Sequence, residues 1–157
     1  MKTTIVKPNW LNPVHMLAFG FGSGAAPKAP GTFGTIAAVL LYWPLSKLSF
    51  DHYMLMILVT SVVGVYLCGK TAKDLGVHDH GGIVWDEFVG FWITMIAAPV
   101  GWVWILVGFV LFRFFDIVKP WPINWIDKKI SGGFGIMLDD VIAGVMAALV
   151  LQGLAWW

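Results

Sequence analysis

The sequence predicts an all-α, polytopic integral membrane helix bundle of four to five membrane segments, preceded by an interfacial N-terminal segment. Two observations carry this. Hydrophobic residues make up 59% of the 157 residues and charged ones only 12%, with a mean hydropathy of +0.80, whereas soluble domains carry roughly a quarter charged residues. The apolar residues also gather into five stretches separated by short polar, glycine- and proline-bearing loops. The chain is short enough to form a single membrane-embedded domain, residues 1–157, and no internal repeat or long linker divides it.

The opening "MKTTIVK" resembles the charged start of a signal peptide, and "SGAAPK" ends in small residues. Between them Asn9, Asn12, Pro13 and His15 interrupt any clean apolar run, so residues 10–21 read as a segment lying in the interface and not as a cleaved leader. The apolar stretches run over residues 33–45, 53–69, 83–98, 101–118 and 136–157. Most are shorter than the ~20 residues a spanning helix needs, so partial spans are expected. Residues 88–112 are continuously apolar and could form one helix. Charge argues for a hairpin, because Lys70 and Lys73 precede this stretch while Arg113, Lys119, Lys128 and Lys129 follow it. A turn at "AAPVG", with Pro99 removing a donor, returns both basic loops to one side. Nine of the ten basic residues then lie inside and only Lys47 outside, as the positive-inside rule favours. The N-terminus is expected in the cytoplasm and the C-terminus outside. Gly144 and Ala148 place small residues on one helix face, suited to close helix packing within or between chains; the sequence leaves the oligomeric state open.

Composition also excludes function classes. A net charge of +1 leaves no basic excess for nucleic acid. The lone Cys68 rules out an internal disulfide and any multi-cysteine metal site, and reads as a small buried hydrophobe.

The hairpin topology brings four polar clusters to one cytoplasmic rim. In "APKAPGTFGT" Thr32 is placed to cap a helix whose start, beside Lys28 and Gly31, suits a phosphate; an ordinary capped turn is the bland alternative. "HDHGGIVWDE" carries Asp79 in a glycine-rich loop, then Asp86 and Glu87 just inside an apolar segment. Two neighbouring carboxylates there repel unless a cation or proton is present, although acids also favour helix starts. The His-Asp-His spacing is weak evidence for zinc. In "FRFFDIVKPWP" Arg113, Asp116 and Lys119 recur at threes and share a helix face, and Pro120 and Pro122 stiffen the exit. In "GGFGIMLDD" the glycines feed a helix whose first turns are expected to carry Asp139 and Asp140. One such acid would satisfy the helix dipole, and the second asks for another explanation.

Together the acids offer hard oxygen ligands without thiolate or a histidine cluster, which selects magnesium, or manganese as its substitute, over zinc or copper. Magnesium usually shares its shell with water and phosphate. A phosphate-bearing substrate at the membrane surface follows.

These motifs carry a resemblance. "KAPGTFGT", "HDHGGIVWDEFVG", "FRFFDIVKPWPI" and "GIMLDDVIAG", in this order across residues 22–150, resemble the bacterial phosphatidylglycerophosphatase A family. The resemblance implies a magnesium-dependent lipid phosphatase, multi-pass in the bacterial inner membrane with its site facing the cytoplasm. It would convert phosphatidylglycerophosphate to phosphatidylglycerol, a step of glycerophospholipid biosynthesis. Carried over by motif, the functional residues are Lys28, Thr32, Asp79, Asp86, Glu87, Asp116, Lys119, Asp139 and Asp140; His80 and Trp85 receive no role.

The chemistry expected from residues and resemblance together gives Asp86, Glu87, Asp139 and Asp140 to one or two magnesium ions. Lys28, Thr32, Arg113 and Lys119 go to the substrate phosphate, and Asp79 and Asp116 to acid–base catalysis on a metal-activated water. Attack by one of the carboxylates, through an aspartyl-phosphate, is the variant left open. Two other classes compete: a magnesium-dependent head-group transferase, and a small cation transporter whose acids line a path. Acids gathered at segment ends favour surface chemistry over transport.

Overall fold

The computed structural model describes residues 6–157; the first five residues of the basic "MKTTIVK" stretch lie outside the described residues. Among these, seven α-helices and one 3₁₀ turn, Ser23–Ala25, account for the regular structure, and no strand occurs. The helices are α1 (Pro13–Ala18), α2 (Pro30–Leu45), α3 (Phe50–Leu75), α4 (Trp85–Thr94), α5 (Trp102–Val118), α6 (Ile123–Lys129) and α7 (Gly132–Ala155).

Local chemistry sets the starts of α1, α2 and α3. Asn12 caps α1 by accepting from the Val14 N–H at 2.9 Å, with Pro13 at the first helical position. Ser49 caps α3 through the His52 N–H. Helix α2 departs from the sequence reading. It begins at Pro30, two residues before Thr32, and its cap position is Ala29 in the left-handed region at φ +49° with no side-chain cap. Proline's fixed φ suits a first helical position, so the cap moves upstream and Thr32 falls within the first turn.

Helix α4, only ten residues long, is the core of the bundle. It packs against α2, α3, α5 and α7, and every residue in it except Asp86 is buried. Its closest crossing, with α7, depends on absent side chains. A Cβ on Gly144 would strike the Gly90 carbonyl, and one on Gly90 would strike the Phe112 ring and the Asp140 carbonyl oxygen. The small face expected from Gly144 thus serves packing within the chain. Aromatic polar tips are satisfied as burial requires: Tyr53 Oη donates to the Trp92 carbonyl at 2.7 Å, Trp92 Nε1 to Ala38 at 3.1 Å and Trp85 Nε1 to Thr60 at 3.0 Å.

The hairpin expected at Pro99 is present. Helix α4 ends at Thr94, the chain turns, and α5 departs from Trp102. From α7, Gln152 Nε2 donates to the carbonyls of Ile96 and Ala97 at 3.0 and 2.9 Å, satisfying groups that a helix end leaves without partners.

Helices α3 and α7 are long and apolar enough to cross a membrane; among the described residues they are the two that meet this test, against the four to five segments expected. At ~1.5 Å per residue, α4 covers only about half of a ~30 Å hydrocarbon layer. Helices α2, α3, α5 and α7 all turn large apolar side chains outward, including Leu40, Trp43, Leu58, Trp102, Leu106 and Leu149. An exposed apolar belt of this extent suits lipid contact. Cys68 is fully buried and free, as its surroundings predicted. Within the segment expected to be interfacial, α1 is tied to α3 through His15. Its Nδ1 accepts from the Asn9 N–H at 3.0 Å, so in the neutral ring the Nε2–H donates to Asp74 at 3.1 Å.

Candidate active site

One end of the bundle holds a cavity of about 120 Å³. Seven of the chain's nine acids line it: Asp79, Asp86, Glu87, Asp116, Asp127, Asp139 and Asp140, leaving out only Asp51 and Asp74. Acids spread for solubility would not converge in this way. They arrive on four elements: the loop before α4 and the first turn of α4, the end of α5, the short α6, and α7.

Three of them meet. Asp86, Glu87 and Asp140 each present a carboxylate oxygen, and these oxygens lie within 4.8 Å of one another. Asp86 Oδ1, Glu87 Oε2 and Asp140 Oδ2 are buried with no hydrogen-bond partner. Ionised pairs at that spacing repel by about 3 to 4 kcal/mol each at an effective dielectric of about 20, and a buried oxygen without a donor adds its own desolvation cost. The arrangement is stable with a proton or cation between the carboxylates. Three hard oxygens with free lone pairs fit a divalent cation that retains water and phosphate in its shell.

Around this triad Lys119, Arg113, Asp116, Asp127 and Asp139 are paired. Lys119, left-handed at the end of α5, donates to Asp139 Oδ2 at 2.6 Å and lies 3.4 Å from Asp127 Oδ1. Burial works to lower the Lys119 pKa, and the hydrogen bond and charge of Asp139, with Asp127 and Asp140, outweigh it and raise it. The other Asp139 oxygen accepts the Asp140 N–H at 3.0 Å. Arg113 pairs with Asp116 and lies 3.9 Å from Glu87 Oε1. Gly31 makes this possible: a Cβ there would collide with Glu87 Oε1 and stand 3.1 Å from Arg113 Nη1. The glycine of "APGT" therefore lets the start of α2 close against the Glu87–Arg113 pair. Asp79 sits at the pocket mouth, where desolvation raises its carboxyl above the ordinary range against the opposing pull of Lys119.

The structure sorts the sequence-predicted residues. It brings together Asp79, Asp86, Glu87, Asp116, Lys119, Asp139 and Asp140 around one cavity. Asp139 stands apart from the three converging acids, because its oxygens are engaged by Lys119 and a backbone amide. Arg113 is occupied by carboxylates instead of facing the cavity. Lys28 and Thr32 do not line the cavity, and Lys28 is exposed. Asp139 and Asp140 are not in the first turn of their helix. Helix α7 begins at Gly132, so at 3.6 residues per turn they lie about two turns in, where the dipole no longer accounts for either acid. Sequence reading missed Asp127 as a lining group, while His78 and His80, read as part of a glycine-rich loop able to fold over the site, do line it. Asp127 had one signal: it precedes Lys128 and Lys129 in a short segment between two charged clusters, where α6 folds with Ile123 and Ile126 buried.

Comparisons with known proteins identify relatives of the chain. The family model described as phosphatidylglycerophosphatase A matches residues 16–155. Phosphatidylglycerophosphatase A of Escherichia coli (strain K12) is 52% identical over 141 residues, covering 89% of this chain and 82% of that protein. Its namesake from Haemophilus influenzae is 50% identical over 153 residues, 96% of this chain and 94% of its own. No solved structure matches the chain.

Proposed function

The chain belongs to the phosphatidylglycerophosphatase A family, and from that premise we propose that it hydrolyses the terminal phosphate monoester of phosphatidylglycerophosphate, giving phosphatidylglycerol and inorganic phosphate. The single observation that carries this reading is the set of three carboxylates, each with a buried and unpartnered oxygen, beside Lys119 at one end of an otherwise apolar bundle. That end is where a lipid head group would meet the protein.

Asp86, Glu87 and Asp140 would hold magnesium, with manganese as a substitute, which when bound supplies positive charge to the phosphate oxygens and lowers the pKa of water. The chain's own residues do the rest. Lys119 faces the cavity with one donor spent on Asp139 and others left for a phosphate oxygen. Asp139 and Asp127 hold the ammonium in place and keep it charged. Arg113 fixes Glu87 and Asp116, so Asp116 acts as a charged partner in the clamp and Asp79 is the freer proton acceptor. A raised Asp79 carboxyl is the better general base at neutral pH. In the reaction a water oxygen bonds to phosphorus as the ester P–O bond breaks. Asp79 takes the water proton, and the departing glycerol oxygen takes a proton from surrounding water and leaves as a hydroxyl.

In this reading the whole chain is one multi-pass domain of the bacterial inner membrane. Helices α2, α3, α4, α5 and α7 form its membrane segments, α1 lies in the interface, and the cavity opens to the cytoplasm. Outward apolar side chains on four of these helices support it, as does the sequence pattern that puts nine of the ten basic residues in segments expected on one side. Purified protein in detergent is expected to release inorganic phosphate from phosphatidylglycerophosphate only with magnesium or manganese present. Phosphate release that survives chelation, or head-group exchange without phosphate release, would contradict the proposal.

A further inference from the structure

A second cavity, about 360 Å³, adjoins the acidic one. Its walls include Phe19, Ala26, Pro27 and Pro30, and it shares His80 and Gly81 with the acidic pocket. The size falls within the range of small-molecule sites. Among the described residues its lining carries no acid, and His80 is the one titratable group there. The two cavities therefore form one cleft with a strongly acidic end and a neutral, mostly apolar end.

The cleft is built, not incidental. The Val84 N–H donates to the Ala18 carbonyl at 2.8 Å, stitching the loop before α4 to the end of α1. Phe19 packs against His80 with ring centres 5.4 Å apart, and Trp10 packs edge-on against Phe19 at 5.5 Å. His80 Nδ1 accepts the Gly82 N–H at 3.0 Å, so the neutral ring carries its proton on Nε2 and has a donor to offer. Lys28 lies between Pro27 and Pro30, both of which line the cavity, and is itself exposed. The segment beside the cleft presents Leu11 and Phe21 outward, apolar surface suited to a membrane interface.

Resting on the phosphatase reading above, we infer that the second cavity is the subsite for the non-reacting end of the lipid substrate. It takes the phosphodiester and the glycerol that bears the acyl chains, with His80 on the shared wall and Lys28 on the rim as donors to that phosphodiester. This places Lys28, outside the reacting-phosphate pocket, on the substrate's other phosphate. Binding energy gathered there would be used to hold the monoester in the acidic pocket.

Three substitutions test it: Lys28→Ala, His80→Gln, and Ala26→Trp, which fills the cavity. The readout is the ratio of kcat/KM for phosphatidylglycerophosphate to kcat/KM for soluble glycerol phosphate, in full-length protein in detergent. Each variant is expected to lower that ratio by about tenfold or more, the size of a lost hydrogen bond to a charged group. A ratio unchanged within about twofold, or a parallel fall for both substrates, would overturn the inference. A second measurement does not depend on turnover: a non-hydrolysable phosphonate lipid with a diazirine beside its glycerol should label residues 25–30 or 80–82, and Ala26→Trp should abolish that labelling. Labelling confined to the outer faces of α3 and α5 would also overturn it. Labelling at the expected residues by a protein that releases no phosphate would sustain this subsite and contradict the hydrolytic reading alone.

Discussion

The two ends of the bundle treat buried polar atoms in opposite ways. At the turn between α4 and α5, Gln152 supplies donors to two free carbonyls and Tyr53 caps the Trp92 carbonyl. At the acidic end, Asp86, Glu87 and Asp140 each keep a buried oxygen without a partner, and Arg113 keeps an unpartnered Nε. A closed hydrogen-bond inventory is what stability selects. An open one costs stability and persists where function needs the free lone pairs. The difference separates scaffold from site within a single small bundle.

That contrast can be broken most sharply at the triad. Glu87→Gln and Asp140→Asn are expected to lower phosphate release by about 10³-fold, while leaving the melting temperature equal or higher, because each removes a like charge. A colorimetric phosphate assay with a thermal unfolding scan checks both halves; a drop in melting temperature matching the lost activity would mean that the acids are structural. Lys119→Met comes next, with an expected loss of about 10²-fold. Asp139→Asn, which acts through Lys119, should cost less, about tenfold, and steady-state kinetics on the two single variants and the double variant would reveal their dependence.

The pH profile sharpens the role of Asp79. Its carboxyl is raised by desolvation, and a base works deprotonated, so kcat should climb as pH rises through that raised value and the limb should vanish in Asp79→Asn. The same shift carries a stability sign. A carboxyl whose folded pKa exceeds its unfolded value favours folding at low pH, and that contribution is lost as pH rises through the folded value. The smallest effects belong to the other end. Tyr53→Phe should cost about 1 kcal/mol of stability and leave phosphate release within about twofold, as measured by unfolding and assay on one preparation.

Much of this was legible in the sequence because hydropathy and charge are coarse signals. The five apolar stretches correspond to α2, α3, α4, α5 and α7, and a break at Pro99 followed from where the lysines lie. Acid clusters far apart in sequence were expected on one rim, and seven acids share one cavity. The finer geometry was hidden for identifiable reasons. Thr32 looked like a cap because its residue type suits one, but Pro30 at the first helical position and a left-handed Ala29 start the helix earlier. Asp139 and Asp140 are adjacent, yet helical geometry separates neighbouring side chains by about 100°, so one pairs with Lys119 while the other joins Asp86 and Glu87. Lys28 is close in sequence to Gly31, but α2 presents the glycine to Glu87 and leaves the lysine exposed.

The convergence of Asp86, Glu87 and Asp140 is tested most directly by titrating manganese into detergent-solubilised protein and following free Mn²⁺ by electron paramagnetic resonance, for the native chain and for the Asp86→Asn, Glu87→Gln, Asp140→Asn triple variant. Saturable binding by the native chain that disappears in a still-folded triple variant is the predicted result. Equal affinity in both, or none in either, would contradict it.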